Sequence, residues 1–359
     1  MRMGWECVRA DGRGVLWTVT TALAVLTMLG GGTGAQAADP GLAPAARAAV
    51  LVDLHLGSTG PVRLRVKARL LGLVTGDREG EYTLLLSTPE AWFEATRFPG
   101  YTDLGGRSGA KVWRKRNVLE KPYRMHQLAM MIDPAHHLRL PPEARVRRSW
   151  TAEGGLSCME VGPTHDLWQH DRSGISALSP ITGSDANPVT LCFDPNSGAL
   201  RRVDYGLPLP RFEFDGEVML GARRFPATMK CYEAKDLAIE ATVVELAADT
   251  ASDDTEFAVP EGAQSWPFCA DPTPPRMIAK REAEHFAAAR ARGQFGTVVV
   301  LAEVGRDGIL HDLTFVDARA KMLRLSIEKV VNEWKYQPAT CEGEPIPADI
   351  YLKYTFLPR

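Results

Sequence analysis

The chain has 359 residues, 45% hydrophobic and 24% charged, with Gly 32, Pro 25 and a formal net charge of −2. At about 150 residues per domain this length points to two domains, each able to bury its own core. The composition excludes a disordered or collagen-like chain, and the near-neutral charge argues against nucleic acid as the main partner, because phosphate binding needs a strong basic excess.

Arg2, Arg9 and Arg13 precede an apolar run from Val15 to Leu29, followed by Gly30-Gly31-Gly32 and Ala35-Gln36-Ala37-Ala38. That is the basic, apolar and small-residue order of a secretory signal peptide, assigned to residues 1–37. The apolar run is ~15 residues long, short of the ~20 that a membrane span requires. The arginines also permit the alternative, an uncleaved inner-membrane anchor over residues 15–29. The expected location is therefore periplasmic or secreted, with the anchored chain as the alternative.

Beyond a Pro/Ala-rich lead, Val62 to Leu70 alternates strictly, with Val62, Leu64, Val66, Ala68 and Leu70 on one face and Arg63, Arg65, Lys67 and Arg69 on the other. Period two marks a half-buried strand. The basic face could grip anionic lipid heads, or it could simply be a solvated outer face. Arg114-Lys115-Arg116 and Arg145-Val146-Arg147-Arg148 are short clusters of the same kind. Glu81 to Ser87 reads as a second strand. Arg211–Phe214 and Glu217–Leu220 flank Asp215-Gly216 as a predicted hairpin. Leu237 to Leu246 adds another β-rich run, and Glu256 to Pro260 a closing strand. The region 38–250 is thus expected to be a curved antiparallel sheet. An acidic and then Pro-rich stretch over 251–272 reads as a linker.

Residues 273–359 predict a small α+β unit. A helix begins at Thr273-Pro274-Pro275 and ends near Gly293. Thr297–Val304 and Ile309–Val316 form a hairpin around Gly305-Arg306-Asp307-Gly308. A helix over Ala320–Trp334 presents Leu323, Ile327, Val330, Val331 and Trp334 as one stripe, and Ile350–Phe356 is the final strand.

Of six cysteines, Cys7 lies in the signal segment. In an exported chain the other five read as disulfide candidates ahead of metal ligands, since none forms a CxxC pair. Grouping by domain pairs Cys158 with Cys192 and Cys269 with Cys341, and leaves Cys231 a buried thiol. The alternative is that several are small core residues. His136, His137, His165 and His170 form no HExxH, and His165 and His170 are spaced wrongly to share a helix face. Cys231 with His165 or His170 lacks an oxyanion-hole motif. There is no GxSxG, P-loop or dinucleotide turn. No enzyme, metal or cofactor is expected.

Trp92, Phe93, Phe98, Tyr101 and Trp113 crowd one stretch and could line an apolar ligand cavity, or could be core. In the last strand Tyr351, Lys353 and Thr355 alternate with Leu352, Tyr354 and Phe356.

Gly296-Thr297-Val298-Val299-Val300, the Asp307-Gly308 turn, Val331-Asn332-Glu333-Trp334-Lys335-Tyr336-Gln337-Pro338-Ala339 and Gly343-Glu344-Pro345-Ile346 together resemble the TonB C-terminal domain. The Tyr-Pro pair that usually precedes the family's first helix is replaced by Pro274-Pro275-Arg276, and the long Pro-rich rod of the energy transducers is absent. The resemblance implies strand addition of an extended peptide from an envelope protein, with Tyr351, Lys353, Tyr354 and Phe356 as the candidate edge; the alternative is that this strand is internal or self-paired in a dimer. The upstream hairpins, the Asp194-Pro195-Asn196-Ser197-Gly198 turn and Phe257–Gly262 are similar to the periplasmic lipoprotein-carrier (LolA/LolB-like) half-barrel. The sequence therefore predicts an exported, non-enzymatic binding protein of α+β class, with a half-barrel-like domain for a lipid or apolar ligand and a TonB-like domain for a protein partner. The alternative is a membrane-anchored TonB-type energy transducer for outer-membrane transport.

Overall fold

The computed structural model describes residues 39–54, 61–73, 75–88, 90–138, 140, 144–162, 188–206, 209–248, 257–269, 272–316 and 321–356. The predicted signal segment, His165 and His170 lie outside the described residues. A helix, α1 (Ala43–Val52), precedes β1 (Val62–Leu70), β2 (Arg78–Thr88), β3 (Ala91–Phe98), β4 (Tyr101–Ser108) and β5 (Lys111–Arg116). Helix α2 (Tyr123–Ile132) leads to β6 (Arg145–Thr151), β7 (Ser157–Gly162), β8 (Val189–Phe193), β9 (Leu200–Asp204) and β10 (Arg211–Asp215). The small pair β11 (Val218–Leu220) and β12 (Arg223–Phe225) is followed by β13 (Thr228–Glu233), β14 (Asp236–Ala248) and β15 (Gln264–Pro267).

Thirteen of these strands form one antiparallel, curved sheet in the order β15-β5-β4-β3-β2-β1-β14-β13-β10-β9-β8-β7-β6. Strand β1 shows why: its even-numbered aliphatics are all buried while its odd-numbered basic residues face outward, as a pleat of period two demands. The inner face of the sheet carries Val62, Leu64, Val66, Tyr82, Leu84, Leu86, Met229, Phe212 and Leu191 in one buried cluster. Helix α2 covers that face over β13 and β14, supplying Met125, Leu128, Met131 and Ile132 to the same cluster.

The remaining elements are β16 (Arg276–Ala279), α3 (Ala287–Ala291), β17 (Gly296–Val304), β18 (Leu310–Phe315), α4 (Lys321–Glu328), β19 (Lys335–Gln337), β20 (Ala339–Cys341), β21 (Glu344–Ile346) and β22 (Ala348–Phe356). Strands β18-β17-β22 make a three-stranded sheet. One of its faces packs Val298, Val300, Ala302 and Val304 against Leu323, Ile327, Val331 and Trp334. The Asp307-Gly308 turn is held by a backbone bond from Tyr336 N–H to the Gly308 carbonyl, 3.0 Å.

Four local expectations change. Asp215-Gly216 does not close a β10–β11 hairpin: β10 pairs with β9 and β13, while β11 pairs with β12. The turn signal is real, with Gly216 at φ 63, but the chain leaves the sheet there and returns at Ala227, whose N–H reaches the Asp215 carbonyl. The helix predicted from Pro274 shrinks to α3, because Met277 takes up strand pairing with Tyr336 and the Arg281 carbonyl accepts the indole N–H of Trp334 at 2.8 Å. The second helix ends at Glu328, giving way to a 3-10 turn at Val331–Glu333. Glu256–Pro260 supplies no described strand; the strand in the linker region is Gln264–Pro267, paired with β5.

Both disulfides join the cysteines that the grouping paired. Cys158 and Cys192 are register partners on β7 and β8, and Cys269 is bonded to Cys341. Cys231 is a buried thiol, its pKa pushed up by burial and then by the Glu233 carboxylate.

Candidate functional site

The first candidate is the edge of the three-stranded sheet. β22 pairs with β17 over its whole length, from Gly296↔Phe356 to Val304↔Ala348, and ends the strand order. In an antiparallel pair, residues alternate between exchanging hydrogen bonds and turning their main chain away. The Val299 carbonyl accepts from Val316 N–H, 3.0 Å, on the β18 side. Val299 and its partner Lys353 are therefore a non-hydrogen-bonded pair across β17–β22. It follows that the main-chain groups of Tyr351, Lys353 and Thr355 point to the open edge, while those of Leu352 and Tyr354 are used in the ladder.

Tyr354 and Phe356 serve differently from Tyr351 and Lys353. Phe356 is buried in the domain core and Tyr354 packs against it, ring centroids 4.9 Å apart. The Tyr354 hydroxyl donates to Glu282 at 2.6 Å and accepts from Ala283 N–H at 3.1 Å, so it fastens the segment leading into α3.

The second candidate is the aromatic group of the large sheet. The pleat divides it. Trp92, Phe98 and Tyr101 face the inner core, whereas Phe93 and Trp113 turn to the outer face, their rings 6.1 Å apart. Trp113 lies across Gly106, where a Cβ would come within 2.5 Å of the indole, so only glycine admits that ring. Residues 92 and 93 are neighbours in sequence and on opposite sides of the sheet.

Towards β5 the inner face becomes polar. Register carries it from Trp92 through Arg107 to Val112, and from Thr96 through Asp103 to Arg116. Tyr101 donates to Asp103 at 3.0 Å, and Arg114 grips the same carboxylate with two bonds, 3.0 and 2.7 Å. Burial pushes the Asp103 carboxyl up, but the Arg114 guanidinium outweighs it and leaves the group below its ordinary value. His126 on α2 is held well below its usual pKa by burial and then by Lys121, Arg114 and Arg116.

This polar end carries the C-terminal domain. Arg114 lies 3.8 Å from Glu303 of β17. Arg116 donates to Asp312 of β18 at 2.7 Å, and the Lys121 N–H donates to the other Asp312 oxygen at 2.8 Å. Asp312 is only 1% exposed and Arg116 13%. Val299 and Leu301, on the face of β17 away from its own core, belong to the buried cluster of the large sheet. Val112 and Trp266 join Ala339, Ile346 and Ala348 beside the Cys269–Cys341 bridge. In the sequence Arg114 and Arg116 stand out only as part of a short basic cluster, and Glu303 and Asp312 do not stand out at all. One signal was present: Val298 to Leu301 is apolar at every position, which marks a strand buried on both faces.

The basic outer face of β1 is met by acids. Arg65 pairs with Glu81 at 2.9 Å and Glu245 at 3.3 Å, and Arg69 with Glu240 at 3.7 Å. A shallow groove of about 520 Å³ there mixes Lys67, Arg69 and Arg97 with Glu79, Glu81 and Glu240, so it has no net appetite for an anion. No helix among the described residues is long and apolar enough to cross a membrane.

Residues 285–357 match the family of Gram-negative bacterial TonB protein C-terminal domains. No curated protein matches the chain. Among solved structures, the chain is similar to a LolA superfamily protein from Nitrosomonas europaea, with 10% identity, a TM-score of 0.40, and coverage of 60% of this chain and 96% of that one. A putative outer membrane lipoprotein-sorting protein domain from Vibrio parahaemolyticus gives 14% identity, a TM-score of 0.38, and coverage of 60% and 95%. A DUF1329 family protein from Desulfovibrio piger gives 11%, 0.40, and coverage of 61% and 98%.

Proposed function

We propose that this is an exported, non-enzymatic binding protein of the cell envelope, whose TonB-like domain captures an extended segment of a partner protein by strand addition to β22. The observation that carries this reading is the open edge itself, at which the main-chain groups of Tyr351, Lys353 and Thr355 are directed outward. Such an edge binds through backbone pairing, and specificity comes from side chains at alternate positions. Two disulfides suit an oxidising compartment.

The large sheet in this proposal takes an apolar ligand by opening its inner face, where Trp92, Phe98, Leu84 and Leu86 are packed in one buried cluster. The test of the capture function is a library of extended peptides from envelope proteins, screened on the full mature chain. Bound peptide should protect β22 amides from hydrogen exchange. Binding that protects other segments and leaves β22 unchanged overturns the strand-addition reading.

A further inference from the structure

The junction between the large sheet and the C-terminal domain has two unlike ends on one strand. At Val112 of β5 it is apolar and closed by the Cys269–Cys341 bridge. Four residues along, about 13 Å by strand rise, it is ionic, with Arg116 on Asp312. The ionic end is built by an irregularity. Across β17–β18 the register passes from Leu301↔Thr314 to Glu303↔His311, so Ala302 faces both Asp312 and Leu313. Asp312 takes the extra position of this bulge with φ 52, a left-handed conformation that Asp tolerates better than most residues. A bulge re-aims a side chain out of the strand's alternation, and here it delivers a carboxylate to a guanidinium on another domain.

We propose that the C-terminal domain is a hinged cover over the polar end of the inner face, tethered at the disulfide and latched by Arg116–Asp312, and that it competes with an anionic amphiphile for that face. The proposal rests on the apolar-ligand reading above. The cover's own groups show what a ligand would bring: Val299 and Leu301 lie where an acyl chain would lie, and the Asp312 carboxylate stands on Arg116 where an anionic head group would stand. The junction sets the ion pairs Arg114–Glu303 and Arg116–Asp312 beside the apolar contacts of Val299 and Leu301, and breaking one partner of a buried pair weakens the whole contact.

The experiment uses the full mature chain with its disulfides intact. Asp312→Asn keeps the acceptor for Lys121 N–H and tolerates the left-handed backbone, but removes the charge on Arg116. Hydrogen exchange over residues 101–116 and 310–316 reports opening, and cis-parinaric acid, a fluorescent fatty acid, reports binding. Asp312→Asn should speed exchange in both segments and bind the probe at least about tenfold more tightly than the parent chain. Arg116→Gln breaks the same latch from the other side, and so serves if Asp312→Asn does not fold. It should open equally but bind the fatty acid more weakly than Asp312→Asn, having lost the head-group contact. Unchanged exchange in the folded variants overturns the latch. Equal tight binding by parent and variant overturns the cover and leaves the apolar-ligand reading standing. Faster exchange with no probe bound to any chain overturns both.

Discussion

The imidazole of His137 is held between the Tyr205 hydroxyl, 2.6 Å from Nδ1, and the Met130 carbonyl, 3.0 Å from Nε2. A carbonyl only accepts, so Nε2 carries the proton and Nδ1 accepts from Tyr205. The neutral ring stacks on Phe212 at 5.1 Å. Burial, opposed by Asp133 and the Met130 carbonyl, lowers its pKa to about 4. The unfolded chain, with an ordinary histidine near 6.5, therefore takes up the extra proton between pH 6.5 and 4. Stability from this group is complete above pH 6.5 and falls as pH drops through that window, by roughly 3 kcal/mol in all. Urea melts of His137→Phe should show a shallower loss between pH 6.5 and 4. Some slope remains from His126, which is depressed in the same direction. An unchanged slope would show that His137 titrates normally in the fold.

Replacement of Lys353 by proline removes a main-chain donor that points to the open edge and leaves the β17 ladder intact. Peptide capture should be lost while the thermal midpoint shifts little. The same change at Leu352 removes a ladder bond to Val300 and should cost on the order of 3 kcal/mol. Circular dichroism melts of the two variants, read beside peptide binding, separate the effects; equal destabilisation would mean that the outward assignment of Lys353 is wrong.

Gly308 sits at φ 76 with the Tyr336 carbonyl packed where a Cβ would project. Alanine there meets both the left-handed penalty and a rigid backbone atom, so Gly308→Ala should destabilise by at least about 2 kcal/mol. Hydrogen exchange should locate the loss in β17, β18 and β19. A variant as stable as the parent would show that the turn relaxes freely.

The Cys158–Cys192 bridge closes a 34-residue separation across directly paired strands. Its replacement by two alanines should cost about 3 kcal/mol, mostly by freeing the unfolded chain, without altering peptide capture at the distant β22. Denaturant midpoints with and without reductant measure this directly. If capture also falls, the large sheet and the edge strand are coupled through the contacts of Val299 and Leu301.

Local pattern made much of this molecule legible. Alternation in Val62–Leu70 fixes which face of β1 is buried, because a strand's side chains have a period of two wherever it lies. The Asp307-Gly308 turn and the stripe ending at Trp334 likewise depend on residues a few positions apart, and the cysteine grouping follows from which residues share a domain. Other features were illegible for the same reason. Phe93 and Trp92 look like one aromatic site until the pleat places them on opposite faces. Pro274–Arg292 has helical composition, yet pairing of Met277 with Tyr336 and the Trp334 bond to the Arg281 carbonyl impose an extended path. Arg116 and Asp312 are 196 positions apart, and no period or spacing connects them. The sequence by itself determined strands such as β1, β2, β14, β17 and β22, the buried face of β1 and the small C-terminal unit, since these are set by short-range periodicity. Only the tertiary structure decided that this unit's second apolar face lies on the large sheet under an ionic latch, because that contact depends on a bulge that re-aims one carboxylate and on the long-range closure of the chain.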